Sequence, residues 1–249
     1  MESGRILRNS QIIILGVCIA LATIASSVIL SQGFMKLMRF SKEVISVTGS
    51  ATKNITSDYA TWQIEFGRRN GDLTAAYADV KKDLERVKSY LESKGVAESE
   101  LAISQVYTVT LFKKSDDGND TNEIEAYRLT QRITVNSGNV EKITQLSREA
   151  TELINEGIGV SSYAPEYFYT KLDELKVEML ARATENAKQR AASMAKSTGN
   201  RIGVIRSAKM GVFQITPPTS TDVSDYGEND TSSLEKKVMA VVSVTFSIE

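Results

Sequence analysis

Between Gln11 and Met35 the chain carries no charged side chain, and Ile12 through Leu30 is dominated by Ile, Leu, Val and Ala. No other feature restricts the fold as strongly. A helix rises about 1.5 Å per residue, so a hydrocarbon core of about 30 Å takes roughly 20 such residues to cross. The anchor residues read from this run are Ile12, Ile13, Ile14, Leu15, Val17, Ile19, Leu21, Ile24, Val28, Ile29 and Leu30. A cleaved leader has a shorter apolar stretch and a small-residue cleavage site. Ala20, Ala22 and Ala25 offer such a site, but Val28, Ile29 and Leu30 continue the apolar run beyond them. An uncleaved anchor is the expectation, with a cleaved leader and a buried soluble helix as the alternatives. Arg5 and Arg8 precede the run and Lys36, Arg39 and Lys42 follow it, so counting positive charges does not fix its orientation.

Composition narrows the chemistry. There is no histidine, and the single cysteine, Cys18, lies inside the apolar run. A Ser-His-Asp or Cys-His nucleophile system has no imidazole base to use, and zinc has none of its usual His or paired Cys ligands. One thiol cannot close a disulfide within the chain. Lys+Arg at 30 against Asp+Glu at 31 leaves no cationic excess to neutralise phosphates, so nucleic acid is excluded as an expected partner. No cofactor, metal or catalytic residue is assigned.

The remaining residues alternate between two periodicities. Val44 to Ser50 reads as a short strand ending in a turn at Gly49-Ser50, with a second strand from about Ile55 to Arg68, where Ala60, Trp62, Ile64 and Phe66 alternate with polar residues. Asp72 caps a helix whose stripe is Leu73, Tyr77, Val80, Leu84, Val87 and Leu91, and Gly95 ends it. Strands follow at about 101–113 and 125–136, joined through the polar tip Asp116-Asp117-Gly118-Asn119-Asp120, whose spacing does not match a calcium loop. A second helix opens at Gly138-Asn139 and closes near Gly157, and a strand at 158–169 is interrupted by Pro165. The longest helix spans about 171–197. Its alanines Ala183, Ala187, Ala191 and Ala195 recur every fourth residue, a stripe that admits a close neighbour and is the candidate self-association surface. Strands at about 201–215 and 236–248 finish the chain, with a polar segment, 217–235, between them that reads as a mobile loop. The expected class is α+β: an N-terminal transmembrane helix, then a mainly antiparallel sheet covered by helices, with a split βαββαβ-like middle and a long alanine-rich helix.

Arg128 and Arg132 share the polar side of their strand and could take an anion or a partner's carboxylates, or simply be solvated. Trp62 with Tyr163, Tyr167, Phe168 and Tyr169 is an aromatic group that would line a pocket or, more often in proteins, fill a core.

Several ordered pieces resemble the SIMPL-domain family, which includes bacterial periplasmic immunogenic proteins. They are Val47-Thr48-Gly49-Ser50-Ala51, Gly95-Val96 leading into Ile103-Ser104, Tyr127-Arg128-Leu129 leading into Ile133-Thr134-Val135, the alanine-rich helix 181–195, Gly199-Asn200-Arg201-Ile202-Gly203, and Val242-Ser243-Val244-Thr245-Phe246. The resemblance covers about residues 44–249 and implies an extracytoplasmic domain, assembly into rings or channel-like oligomers, and a link to envelope or oxidative-stress physiology. It transfers no catalytic residue. On it the chain divides into residues 1–43, comprising a cytoplasmic tail, membrane anchor and juxtamembrane linker, and an extracytoplasmic domain, 44–249. The expected function is a membrane-tethered, homo-oligomeric binding or scaffold domain of the inner or cytoplasmic membrane, not an enzyme. The alternatives are an adaptor that presents the 217–235 loop to another envelope protein, and a hydrolase working through carboxylates.

Overall fold

A computed structural model describes the backbone of residues 3–249 and the side chains of residues 14–35 and 43–249. It shows an α+β protein with antiparallel sheets and an apolar N-terminal helix, α1 (Ser3–Lys42). The chain divides into two compact units, one of residues 51–179 and 212–240, the other of residues 180–211 and 241–249 together with the N-terminal 50, α1 included. Strand β1 (Val44–Thr56), helix α4 (Leu172–Ser197) and strand β10 (Glu235–Ile248) each pass through both.

The larger unit is built on β2 (Tyr59–Asn70) and β5 (Asp120–Ser137), which pair without a break from Ala60↔Ser137 to Asn70↔Tyr127. β3 (Leu101–Ile103) and β4 (Tyr107–Lys114) extend the far side of β5, and β6 (Val160–Ser162) and β7 (Glu166–Phe168) the far side of β2. Period-two alternation then gives the sheet one apolar face and one polar face. Ala60, Trp62, Ile64 and Phe66 with Leu129, Ile133 and Val135 are buried with residues of α2 (Leu73–Ser93) and α3 (Val140–Glu149). Thr61, Gln63, Glu65, Thr130, Arg132 and Thr134 on the opposite face stay half exposed.

Helix α2 starts where Asp72 accepts a hydrogen bond from the Ala75 N–H at 2.7 Å, and ends with Gly95 at φ +81°, a conformation glycine adopts without a Cβ penalty. Its buried stripe is rotated from the expected one. Leu73 and Tyr77 are exposed, and Ala76, Asp83 and Tyr90 are buried with Val80, Val87 and Leu91. Asp83 turns inward because Arg68 of β2 grips both its oxygens, Nε at 2.5 Å and Nη2 at 2.8 Å. The strand expected at 101–113 is two, both on β5: between them the Ser104 N–H still donates to Arg132 O at 2.9 Å, but the Arg132 N–H goes to the Ser104 hydroxyl at 3.1 Å in place of a backbone carbonyl. The acidic tip is a hairpin turn, with Gly118 at positive φ and Lys114 paired to Asp120 at 2.7 Å.

β9 (Gln214–Thr216) pairs with the start of β10, and the polar segment beyond it is pinned rather than free. Buried Gln214 donates to Ser224 O at 2.6 Å and accepts from the Glu228 N–H at 2.9 Å. Lys237 donates to Ser220 O at 2.6 Å, Tyr167 N to Thr231 O at 2.7 Å and Ser57 N to Leu234 O at 2.9 Å. A segment with no hydrophobic periodicity is thus held through its backbone, which composition does not reveal.

In the smaller unit the strand order is β1-β10-β8, with β8 (Ile202–Met210) antiparallel to β10 at one edge. β1 does not end in a turn at Gly49-Ser50 but runs on to Thr56. Gly49 is there for space: a Cβ on it would lie 2.2 Å from Ala183 O and 2.7 Å from the Ala187 Cβ of α4. This corrects the self-association expectation for the alanine stripe. Ala183, Ala187, Ala191 and Ala195 are 0–2% exposed, with the first two packed on the chain's own β1. Asn186 accepts from Ser50 N–H at 3.2 Å and Arg190 donates to Thr48 O at 3.0 Å, closing the same contact.

Candidate functional site

Three surfaces carry chemistry or unsatisfied apolar area. The first is α1, whose segment Ile14–Met35 is 22 residues of apolar helix with none of it covered. Ile14, Leu15, Val17, Ile19, Leu21, Ile24, Val28, Ile29 and Leu30 are all exposed, as is Cys18. The side chains of Ile12 and Ile13 lie outside the described residues. The span has no charged side chain, and the Thr23 and Ser27 hydroxyls on it donate back to the helix's own carbonyls, to Ala20 O at 2.9 Å and Thr23 O at 2.7 Å, so it suits a lipid surround.

The second is β8. As an edge strand it leaves one row of backbone groups without a ladder partner, and its side chains are open on both faces: Val204 is 61% exposed, Ile205 52% and Met210 57%. Sequence periodicity marked this strand but not its position, since edge or centre is decided by pairing order.

The third is a groove on the polar face of the larger unit's sheet, lined by Glu65, Ser104, Gln105, Tyr107, Val109, Arg128, Thr130, Gln131 and Arg132. Alternation along β5 sends Arg128, Thr130 and Arg132 to this side, and the register sets Tyr107 opposite Thr130, Val109 opposite Arg128 and Glu65 opposite Arg132. Arg132 Nη2 donates to Glu65 Oε2 at 2.8 Å, and its guanidinium lies 5.5 Å from the centroid of the Tyr163 ring. The hydrogen bond to Glu65 holds Arg132 further above its already high range, so it stays charged throughout the working pH range. Its buried Nε has no hydrogen-bond partner among the described residues. Arg128 is exposed and directly opposite Arg69 on the same face. Arg69 is paired with Glu125, while Arg128 has no ion pair among the described residues.

Thus the two arginines singled out by alternation do share one groove. Glu65, Ser104, Gln105 and Tyr107 were not found from sequence, because their place depends on cross-strand register. The aromatic group does not form one pocket. Trp62 and Tyr167 are in the core, with Trp62 Nε1 donating to Ser162 Oγ at 3.0 Å and the Tyr167 hydroxyl 2.9 Å from Thr144 Oγ1, whereas Tyr163 is exposed beside Arg132.

Elsewhere, Lys236 is buried at the start of β10, donating to Asp230 O, with Asp230 Oδ2 3.8 Å away. Burial pushes the Lys236 amine below its ordinary value, only partly offset by Asp230. Burial pushes Asp230 up, but hydrogen bonds from Ser232 and Ser233 and the charge of Lys236 outweigh it and hold the carboxyl below the usual range. The pair ties the pinned segment to β10, and neither residue lines the groove.

A search of curated proteins gives no match. The match that exists is to a family model, described as SIMPL, protein of unknown function (DUF541), and it extends over residues 45–246, nearly all of the chain that follows α1. The ordered motifs and the model agree on the same span, and the chain belongs to the SIMPL (DUF541) family.

Proposed function

We propose that the protein is a membrane-tethered, extracytoplasmic, self-associating domain whose work in the cell envelope is binding or scaffolding rather than bond-making. The observation that carries the reading is α1, with a 22-residue, uncharged and predominantly apolar span, Ile14–Met35, that none of the described residues covers. An apolar surface of that extent is far above what soluble chains leave in water, and lipid is the solvent that removes its cost. A long hydrophilic domain translocates largely regardless of its charge, so the balanced basic flanks are compatible with a domain outside the cytoplasm. With the three-residue β3 counted together with β4, the element order β2, α2, β3/β4, β5, α3, β6 supports a split βαββαβ core for that domain. A link to envelope stress is part of the proposal on the family resemblance alone.

Support for self-association comes from β8 rather than from the alanine stripe. Its open backbone row and its exposed Val204, Ile205 and Met210 are what a second strand needs, namely hydrogen-bonding partners and apolar side chains to pack against on both faces. Lys209, exposed in the same strand, makes indiscriminate edge pairing unfavourable, so the partner has to match.

The reading is tested on the full chain in its membrane. Protease added to spheroplasts, in which any outer membrane has been opened and the cytoplasmic membrane is intact, is expected to digest the domain, and a short crosslinker is expected to give self-adducts that decline at least several-fold in an I205K/M210K double variant of unchanged melting temperature. Complete protection from protease in spheroplasts that is lost on lysis, or a wild-type chain that yields no self-adducts, overturns the corresponding half of the proposal.

A further inference from the structure

We propose that the groove on the polar face of the larger unit's sheet is a binding site for a small organic monocarboxylate, with Arg128 as the residue that takes the carboxylate. The inference is independent of self-association through β8, which lies in the other unit.

Hydrogen-bond supply and demand in the groove are unequal. Among the described residues Arg128 has its whole guanidinium unspent, and Thr130, Gln105 and Tyr107 add a hydroxyl, an amide and a phenol that make no side-chain hydrogen bonds. The charged acceptor present, Glu65, is already engaged by Arg132. The hydroxyl, amide and phenol can accept as well as donate, so the unbalanced group is Arg128, a donor-only cation without a counter-charge among the described residues, and an anion matches it. The strand pairing adds a second, independent pointer. Arg69 and Arg128 are directly cross-strand on one face, an arrangement of like charges that weakens a sheet. Glu125 meets Arg69 at 2.5 Å and nothing among the described residues meets Arg128, so an anion at Arg128 relieves a cost the fold otherwise retains.

The charge count selects the kind of anion. Arg69, Arg128 and Arg132 face Glu65 and Glu125, which leaves a single positive charge at Arg128. One surplus charge suits a monoanion, and a planar guanidinium matches a carboxylate with two parallel hydrogen bonds. Tyr107 and Val109 lie beside Arg128 and Thr130 in register and offer an apolar wall, so the acid is expected to carry an apolar or aromatic body.

The test is equilibrium dialysis of the full chain in detergent micelles against radiolabelled 3-phenylpropionate. R128Q in the same micelles serves as the reference, so that partition of the acid into detergent cancels. Wild type is expected to show saturable binding in excess of R128Q, with affinity reduced roughly tenfold or more in the variant, as for loss of a charge-assisted pair. R128K, which keeps the charge but not the fork, is expected between the two. Unlabelled acetate should displace the label weakly and inorganic phosphate should not displace it preferentially. Equal binding by wild type and R128Q overturns the site. Preferential displacement by phosphate overturns the carboxylate assignment, and stronger displacement by a peptide ending in a free phenylalanine carboxylate than by the unlabelled acid overturns the small-molecule assignment. Because Arg128 is exposed and its removal relieves a like-charge pair, R128Q is expected to melt no lower than wild type, which separates loss of binding from loss of fold.

Discussion

Gly49 shows how one position can look like one thing in a sequence and be another in the molecule. A glycine followed by serine between two apolar stretches reads as a turn, because turns commonly need the backbone freedom of glycine. Here the strand continues through it, and the reason for glycine is the approach of α4, whose Ala183 O and Ala187 N stand 2.2 and 2.5 Å from where a Cβ would be. Both obstacles are backbone, so no side chain can swing aside to make room. Gly49→Ala is therefore expected to push strand and helix apart and cost about 2 kcal/mol or more, by analogy with overpacked cores, lowering the melting temperature of the full chain in detergent by several degrees. Gly159→Ala is the matched comparison, since nothing lies within 4 Å of its Cβ position and its φ is not positive. It is expected to be neutral or slightly stabilising. Equal melting temperatures for the two variants would remove the steric account of Gly49. Arg128 and Arg132 illustrate the opposite case. Alternation alone put both on one face, because side-chain direction in a strand is a local property. The partners that make that face a groove, Glu65 and Tyr107, came only with the register, which is a property of two strands.

At the scale of elements, helices and central strands were legible and edges were not. The four-residue spacing of α4 and the alternation in β2 and β10 reflect burial on one side, and burial is what those patterns encode. β8 has a similar apolar content but sits at an edge, and its exposure follows from the order β1-β10-β8 rather than from its residues. The segment 217–235 is the sharper lesson, since its Ser, Thr, Asp and Asn composition reads as mobility while the structure ties it down by the side chain of Gln214 and by backbone bonds to Ser57 and Tyr167. Gln214 is buried and spends its amide on Ser224 and Glu228, so Gln214→Leu leaves those backbone groups without their partners. At roughly 1 kcal/mol for each of the two shorter bonds among the three that are lost, the one to Ser224 O and the one from the Glu228 N–H, local opening becomes about 30-fold more frequent. Hydrogen exchange is expected to show that acceleration at the Ser224 and Glu228 amides, with the β2 and β5 amides unchanged. Uniform acceleration across the larger unit would mean that Gln214 supports the whole fold and not the segment.

For the whole molecule, the question is whether α1 remains part of the protein that works. Its apolar span is long enough to anchor, and the small residues Ala20, Ala22 and Ala25 within it are also what a leader's cleavage site uses. The two histories leave different products. An anchored chain keeps the mass of all 249 residues and resists extraction from membranes by alkaline carbonate. A cleaved chain loses the helix and is released by the same treatment. The length of the uncharged run beyond those alanines favours retention, so the expected product is full-length and membrane-embedded. An arginine near the middle of a spanning helix costs roughly 2.5 to 3.5 kcal/mol on insertion scales, and two cost about twice that if they act independently. Ile24→Arg combined with Val28→Arg is therefore expected to shift most of the chain out of the membrane fraction, whereas Ile24→Leu with Val28→Leu leaves it in place. The folded units bury none of α1's apolar window, so the charged pair is expected to leave their melting transition unchanged even as it abolishes membrane retention. A double-arginine chain that remained in the membrane fraction after carbonate would show that residues 44–249 hold the protein there by themselves, and the tether would have to be sought on the folded surface instead of in the helix.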